Sequence, residues 1–386
     1  MKKSFMVLVT GCIAAGSALA QNSVTLYGVL DEGVTYVNNV VGSDGQGHSL
    51  VVAQGGVVQG NRWGLKGFED LGGGLKAIFR IESGFNINNG RSSQSGRLFG
   101  RQSFVGLSSD TWGTVTMGRQ YDPVIDYVQP TTMNGFWGTP FSHAGDIDNS
   151  GNGFRINNSV KYTSPNLSGL QFAGLYALGG VADSFGTNST ISVGTSYSGG
   201  PLYLGAGYFY AKNPVAQFDD GNWADFGDDP FFGLLGNTAG SPSDMQVVGA
   251  GGTYKFGGAM VGGNYTNTRY GNTIGGATAR FDNYEIWGQY RLTPATTLIA
   301  GYTFTRVNQD IVYGDAVPKY GQINLMADYA LSKRTDIYFQ GVWQRAYSSD
   351  PLTGQPTTAS IYTGSPGNIS STNNQVSARL GIRTKF

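Results

Sequence analysis

The stretch VSARLGIRTKF, residues 376–386, keeps two kinds of side chain apart. Val376, Ala378, Leu380, Ile382 and Phe386 hold even positions, with Thr384 the one polar member. Ser377, Arg379, Gly381, Arg383 and Lys385 hold the odd ones. Side chains of an extended chain point alternately to opposite faces, so the segment reads as a strand with one apolar and one cationic face. Such a strand belongs at the boundary between a greasy medium and water.

The same period recurs along the chain. VTLYGVLDEGVTYV (24–37) sets Val24, Leu26 and Leu30 against Thr25, Tyr27 and Asp31. LKAIFRIESGF (75–85) sets Leu75, Ala77, Phe79 and Ile81 against Lys76, Arg80 and Glu82. LQFAGLYAL, PLYLGAGYFYA, MQVVGAGGTYKF, FDNYEIWGQYRL, TLIAGYTFTR and DIYFQGVWQRA repeat it. Runs of about ten residues with this period are half-buried strands, and no segment carries helical spacing. The connectors are sorted too. Short ones, such as EDLGGG (69–74), SPNLSG (164–169) and LSKRT (331–335), alternate with long polar ones at 38–59, 86–97, 121–154, 179–189, 212–244, 269–281, 307–319 and 347–374.

Past residue 20 there is no run of about 18 apolar residues, which excludes a transmembrane helix. About sixteen strands of about 9–11 residues, with short turns at one end and long loops at the other, fit an all-β transmembrane antiparallel β-barrel. Tyr36, Phe85, Tyr208, Tyr210, Phe256 and Phe386, near strand ends, are expected in its interfacial aromatic girdles. The parity that sends Val24 and Leu26 to lipid also sends Gly28 and Glu32 there. A carboxylate against lipid is costly, so Glu32 sits either at headgroup level or against another subunit.

MKKSFMVLVTGCIAAGSALA (1–20) has two lysines, an apolar core and a small-residue ending, and reads as a cleaved export signal preceding a barrel domain at 21–386. Cys12 is the one cysteine, so the expected mature chain holds together without disulfides. His48 and His143 are the two histidines, which excludes a His/Cys metal cluster. Basic and acidic residues balance at 25 each, and no bulk charge points to nucleic acid. Aromatics at 13% argue against disorder.

The sequence resembles the general porins of Gram-negative outer membranes, the trimeric sixteen-stranded type common in β-proteobacteria. SVTLYGVLDEGV, NRWGLKGFEDLGGGLKAIFRIESGF, RQSFVGLSSDTWGTVTMGRQYDP, NNSVKYTSPNLSGLQFAGLY and the terminal GIRTKF carry the resemblance, from Val24 to Phe386. It implies a homotrimer in lipid bilayer and lipopolysaccharide, passing ions and small hydrophilic solutes without cofactor or chemistry. It also implies that the third long loop, 121–154, folds into the pore and that arginines on the opposite wall face its acids. That loop carries Asp122, Asp126, Asp146 and Asp148 and no Lys or Arg.

Arg62 and Arg119 match the family's wall arginines. Parity alone puts Arg62 inward, but it turns Arg119 outward unless a bulge at Gly118 reverses it. A third wall arginine of the family is Thr163 here, and Lys161 and Arg155 share the inward parity and stand in for it. Arg80, Arg379, Arg383 and Lys385 are also inward by parity. Any of these cations has a plainer reading as a wall strut paired with a neighbouring acid such as Glu82 or Asp31. The terminal Phe386 resembles the signal read by the barrel-insertion machinery.

Acids opposite guanidiniums in a narrow throat would set up a transverse field that orients dipolar solutes and tilts ion preference. The inward cations Arg62, Arg80, Arg379, Arg383 and Lys161 outnumber the inward acids Asp31 and Glu82, which leans towards anions, while the four aspartates of the loop pull the other way and leave the sign open. Two rivals belong to other classes: a rim hydrolase using His143 with Ser142 and Asp146, and a non-conducting adhesin barrel. DIDNSGNGFRIN (146–157) begins like a calcium loop but has Asn157 where a bidentate Glu belongs. No metal site is expected.

Overall fold

The computed structural model describes residues 23–218, 220, 242–273, 276–311, 314–316, 318–348, 357–362 and 369–386; the export signal read at 1–20 lies outside the described residues. The strands are β1 (Ser23–Val41), β2 (Gly47–Gly55), β3 (Arg62–Gly72), β4 (Leu75–Gly84), β5 (Gln102–Ser109), β6 (Gly113–Gln120), β7 (Ile156–Thr163), β8 (Leu170–Ala177) and β9 (Thr190–Gly199). They continue as β10 (Leu202–Lys212), β11 (Asp244–Phe256), β12 (Ala259–Gly271), β13 (Ala279–Arg291), β14 (Thr296–Ile311), β15 (Gly314–Ala316), β16 (Lys319–Ala330), β17 (Thr335–Ala346) and β18 (Asn374–Lys385).

All neighbours pair antiparallel. β2 and β3 lie end to end along one side of β1, and β15 and β16 end to end along β14, so the eighteen segments make sixteen barrel strands. The barrel closes where β18 pairs with β1, from Val29 opposite Lys385 to Val37 opposite Ser377. Gly28 and Phe386 extend that seam, each backbone N–H donating to the other's carbonyl at 3.0 and 3.1 Å. Closure satisfies the backbone groups that an open edge would leave unpaired in lipid, which is why a bilayer admits barrels and not open sheets.

The two faces follow the period of two. Val24 is 66% and Leu380 64% exposed, while Asp31, Thr35, Ser377 and Arg379 of the other parity are buried inside the barrel. Gly28 holds an outward position that needs a glycine, because a Cβ there would collide with the Phe386 ring and sit 2.8 Å from the Arg62 carbonyl oxygen.

Two expectations are corrected. The stretch 38–59 is mostly strand: β1 runs on to Val41 and β2 returns from Gly47, leaving a tight turn stabilised by the Gly42 N–H donating to Gln46 O at 2.9 Å. Phe85 is not an outward girdle residue. The chain bends after Gly84, with the Phe85 N–H donating to Asn61 O at 3.2 Å, and the ring lines an interior opening. Tyr36, Phe256 and Phe386 are exposed on the outer face.

Short helices occur only in connections among the described residues. The longest described connection, between β6 and β7, contains α1 (Pro123–Tyr127) and α2 (Met133–Trp137). Asp122 caps α1 by accepting from the Val124 N–H at 2.8 Å, and Thr132 caps α2 by accepting from the Gly135 N–H at 3.1 Å.

Candidate functional site

The segment 121–155 lies against the polar parity of the wall. Tyr203 Oη donates to Tyr127 O at 2.9 Å, Trp287 Nε1 to Thr131 O at 2.9 Å and Tyr270 Oη to Ile147 O at 2.7 Å. Gln322 Nε2 donates to Pro140 O at 3.0 Å and Gln340 Nε2 to Trp137 O at 2.6 Å. Strand glycines make room for this contact. A Cβ on Gly194 would meet Tyr127 Cδ2 at 2.8 Å, and one on Gly251 would strike Thr131 Oγ1. The glycine run GAGG (249–252) thus has a packing role that its sequence alone does not reveal. Val124, Val128, Ile147 and Phe154 of the segment pack with Phe209, Val247 and Phe281 of the wall, so hydrophobic burial adds to the polar anchoring.

Three of the four loop acids are enclosed in this contact. His143 Nδ1 lies 2.6 Å from Asp148 Oδ2, which also accepts from Thr266 Oγ1 at 2.5 Å. Glu285 of β13 lies 3.9 Å from His143 Nε2 and accepts from the Met133 N–H at 2.8 Å. Burial alone would lower the His143 pKa, but the Asp148 carboxylate, with help from Glu285, holds it up at about 9. Asp148 is correspondingly held low, because the His143 charge outweighs the cost of burial. Burial and the neighbouring Asp148 push Asp146 up to about 7, where its carboxylate accepts from the Gly151 N–H at 2.5 Å. Burial, with Asp126 nearby, pushes Asp122 up to about 6. Asp126 is the more exposed member and accepts from Lys161 Nζ at 2.8 Å.

On its other side the segment bounds an opening of about 1030 Å³. The facing wall supplies Arg62, Lys66, Arg80 and Arg101, and Arg155 stands at the root of the segment. The segment's own border there is neutral, made by Gln129, Asn134, Thr139 and Asn152. Among the described residues, Glu82 and Asp220 are the carboxylates on the lining. Glu82 joins the cations: Arg101 Nε donates to its Oε1 at 2.8 Å, Tyr27 Oη donates to its Oε2 at 2.7 Å, and Arg62 Nε lies 4.0 Å away. Lys66 and Arg80 lie over the Tyr27 ring at 5.5 and 6.0 Å. Arg101 Nη2 donates to Tyr121 Oη at 3.0 Å, and Arg155 covers the Tyr121 ring at 5.6 Å.

The residues picked from sequence therefore divide. Arg62, Arg80 and Arg155 line the opening, whereas Arg119, Lys161 and Arg379 do not. Arg119 is buried, and its strand parity is broken where the β6–β7 register shifts between Gly118 and Gln120, with Gly118 at φ +134°. Its guanidinium donates to Gly100 O at 2.7 Å and Asn157 Oδ1 at 2.6 Å, and it pairs with Asp220. Arg379 is a strut at the barrel seam, donating to Tyr338 Oη, Thr35 Oγ1 and Gln54 O at 2.7–2.9 Å, with Asp31 at 3.7 Å. None of Asp122, Asp126, Asp146 and Asp148 is on the lining of the opening. Ser142 Oγ accepts from Asn134 Nδ2 at 2.9 Å, and His143 is buried on Asp148, so Ser142, His143 and Asp146 do not form a relay.

Arg101 was missed. It precedes β5, in which Val105 and Leu107 face outward, so extending their parity sends it to lipid. A bend at the strand entrance turns it inward instead, and no periodicity signals that bend.

The sequence pattern of the Gram-negative porin family matches residues 6–346. An outer membrane porin protein of Bordetella pertussis is 37% identical over 248 residues, spanning 56% of this chain and 62% of that protein. Outer membrane porin protein 32 of Delftia acidovorans is 29% identical over the full length of both. Among solved structures, the anion-selective porin from Comamonas acidovorans superposes with a TM-score of 0.71 at 24% identity, covering 95% of this chain and all of that one. A closed sixteen-stranded barrel with an apolar outer face and a family match over most of its length leads to one conclusion: this outer-membrane chain belongs to the Gram-negative porins.

Proposed function

We propose that the protein is a water-filled channel through which ions and small hydrophilic solutes diffuse passively down their gradients, with a preference for anions. One observation carries this reading: Arg62, Lys66, Arg80, Arg101 and Arg155 share an opening of about 1030 Å³ on whose lining, among the described residues, the carboxylates are Glu82 and Asp220. An excess of guanidinium charge that persists at all relevant pH attracts anions and repels cations in a narrow throat. The description of the Comamonas porin as anion-selective supports the same sign.

The transverse field takes a particular form in this reading. Its positive side is the β3–β5 wall, whose charge Glu82 partly offsets from within, and Asp220 adds a negative contribution. The loop acids Asp122, Asp126, Asp146 and Asp148 act from behind the neutral loop border. The protein works as a homotrimer in lipopolysaccharide-bearing membrane, and Phe386 serves recognition by the insertion machinery.

Planar-bilayer recording tests the reading. Stepwise ohmic conductance, with a reversal potential of anion sign in a salt gradient, is the expected result. A folded preparation that inserts without conducting would sink it in favour of an adhesin barrel, and turnover of a fluorogenic ester or peptide would favour a rim hydrolase.

A further inference from the structure

The connection between β17 and β18 enters the barrel. Within residues 357–362, Ala359, Ser360 and Ile361 are buried, and Tyr362 lines the opening that holds Arg62 and Arg80. A loop at the rim of a barrel normally runs over the surface, and backbone taken out of water must find partners.

The partners are specific. Gln344 of β17 and Gln375 of β18 stand directly opposite each other across the ladder, and both are fully buried. The Ser360 N–H donates to Gln344 Oε1 at 2.7 Å, and the next amide, the Ile361 N–H, donates to Gln375 Oε1 at 2.7 Å. Two wall side chains thus grip consecutive amides of this strap. Backbone bonds hold the same segment: the Ala359 N–H donates to Thr372 O and the Ser370 N–H to Ala359 O, both at 2.9 Å, and the Thr357 N–H donates to Ser348 O at 2.8 Å. A buried amide side chain is costly unless it is hydrogen-bonded, so the two glutamines are committed to the strap.

The strap also reaches the 121–155 segment. Gln344 Nε2 donates to Gln322 Oε1 at 2.9 Å, and Gln322 Nε2 donates to Pro140 O at 3.0 Å. Ile361, 1% exposed, belongs to the buried cluster of Val58, Phe141 and Val342. An apolar side chain is favoured there over the wet lumen, which anchors the strap on the loop as well as on the wall. With Ile361 sealed in, the next residue, Tyr362, stands on the open side.

We propose that residues 357–362 are a second constriction element, held by the clamp of Gln344 and Gln375, and that Tyr362 is a size-determining residue of the opening. The 121–155 segment gives the opening one inward border, and the strap gives it another. The phenol ring adds bulk and not charge, so the strap sets the width of the path while the arginines set its sign. The inference rests on the channel reading, since width matters only to a solute that passes.

The test reconstitutes the purified protein in liposomes and planar bilayers and compares wild type with Gln344→Ala/Gln375→Ala and with Tyr362→Ala. Liposome swelling in arabinose, sucrose and raffinose reads the size limit, and circular dichroism confirms that each variant is folded. Each unmade buried hydrogen bond favours release by about tenfold, so the double variant should populate a released strap about a hundredfold more than wild type. It should show excursions to a higher conductance level and a raffinose-to-arabinose swelling ratio above that of wild type. Tyr362→Ala keeps the clamp and should raise the same ratio with the reversal potential unmoved. If the double variant does not fold, Tyr362→Ala decides alone. An unaltered folded double variant, or an unaltered ratio in Tyr362→Ala, overturns the proposal. A lowered conductance in the double variant would make the released strap a plug and overturn it as well. A wild type that neither conducts nor passes sugars contradicts the channel reading, whereas a conducting wild type with indistinguishable variants contradicts only the strap.

Discussion

The two sides of the segment 121–155 handle charge in opposite ways. Towards β12, β13, β16 and β17 it is sealed, with His143, Asp148, Thr266 and Glu285 enclosed in a hydrogen-bonded contact. Towards β3–β5 it stands off, and Arg62, Lys66 and Arg80 line open space there, while Arg101 is buried on Glu82 and Tyr121. A buried charge must find partners, whereas a charge beside water need not. The acids that look from sequence like the negative side of a pore are therefore largely committed to anchoring. The charges left to act on a passing ion are those the wall keeps wet.

The sharpest way to break this contrast is Asp148→Ala. It removes the partner of a buried His143 and the acceptor of Thr266, and loss of one member of a buried pair costs about 3–5 kcal/mol. The segment should then detach from β12 and β13, read as faster proteolysis within 121–155 and a larger, noisier conductance. An unchanged digestion pattern would show that the apolar contacts alone hold it.

The open side is probed by charge. An ion passing about 8 Å from one guanidinium, at an effective dielectric of ~40, gains or loses about 1 kcal/mol, roughly a fivefold change in permeability ratio. Arg62→Ala should move the reversal potential towards cations by this order and Glu82→Gln towards anions, with little effect on proteolysis. Asp146→Asn, on the sealed side, should move it far less.

Acidity sharpens the same division. His143 has a raised pKa, so its contribution to anchoring is complete below its ordinary value of 6.5 and is lost as the pH rises through about 9. Asp146, raised to about 7, acts in the same direction: detached, it gives up its proton near 3.8, so anchoring weakens from there through about 7. Asp148 is depressed, and its contribution is lost as the pH falls below 3.8. Anchoring should thus be firmest in mild acid, with gating noise rising towards pH 9 while ion preference, set by guanidiniums, stays nearly constant. A noise level independent of pH would remove His143 and Asp146 from the anchor.

The smallest expected effect lies at the barrel seam, outside both regions. Gly28→Ala should crowd the Phe386 ring and the Arg62 carbonyl at about 1 kcal/mol, the low end for overpacking. It should lower the unfolding temperature without moving the reversal potential. Deleting Phe386 should lower the outer-membrane level of the protein, and normal levels would count against its role in assembly.

Much of the fold is legible in the strands. The period of two in residues 376–386 already separates Leu380 from Arg379, because side-chain direction in a strand is a local property. The sorting of short and long connectors then points to a barrel. Legibility stops where the chain leaves the regular ladder. Phe85 and Arg101 sit at bends beyond strand ends, where parity no longer applies. Arg119 follows a register shift between Gly118 and Gln120, which breaks the parity of its strand.

The sequence by itself determined the face on which residues of the regular strands lie, and with it the apolar exterior, the wet interior and a barrel of about sixteen strands. Only the tertiary structure decided which interior charges reach the opening. That depends on contacts between residues more than a hundred positions apart, such as Asp148 with Thr266 and Met133 with Glu285. A carboxylate looks the same in a sequence whether water or a histidine will surround it. Its environment, and so its effect on a passing ion, exists only once the loop has met the wall.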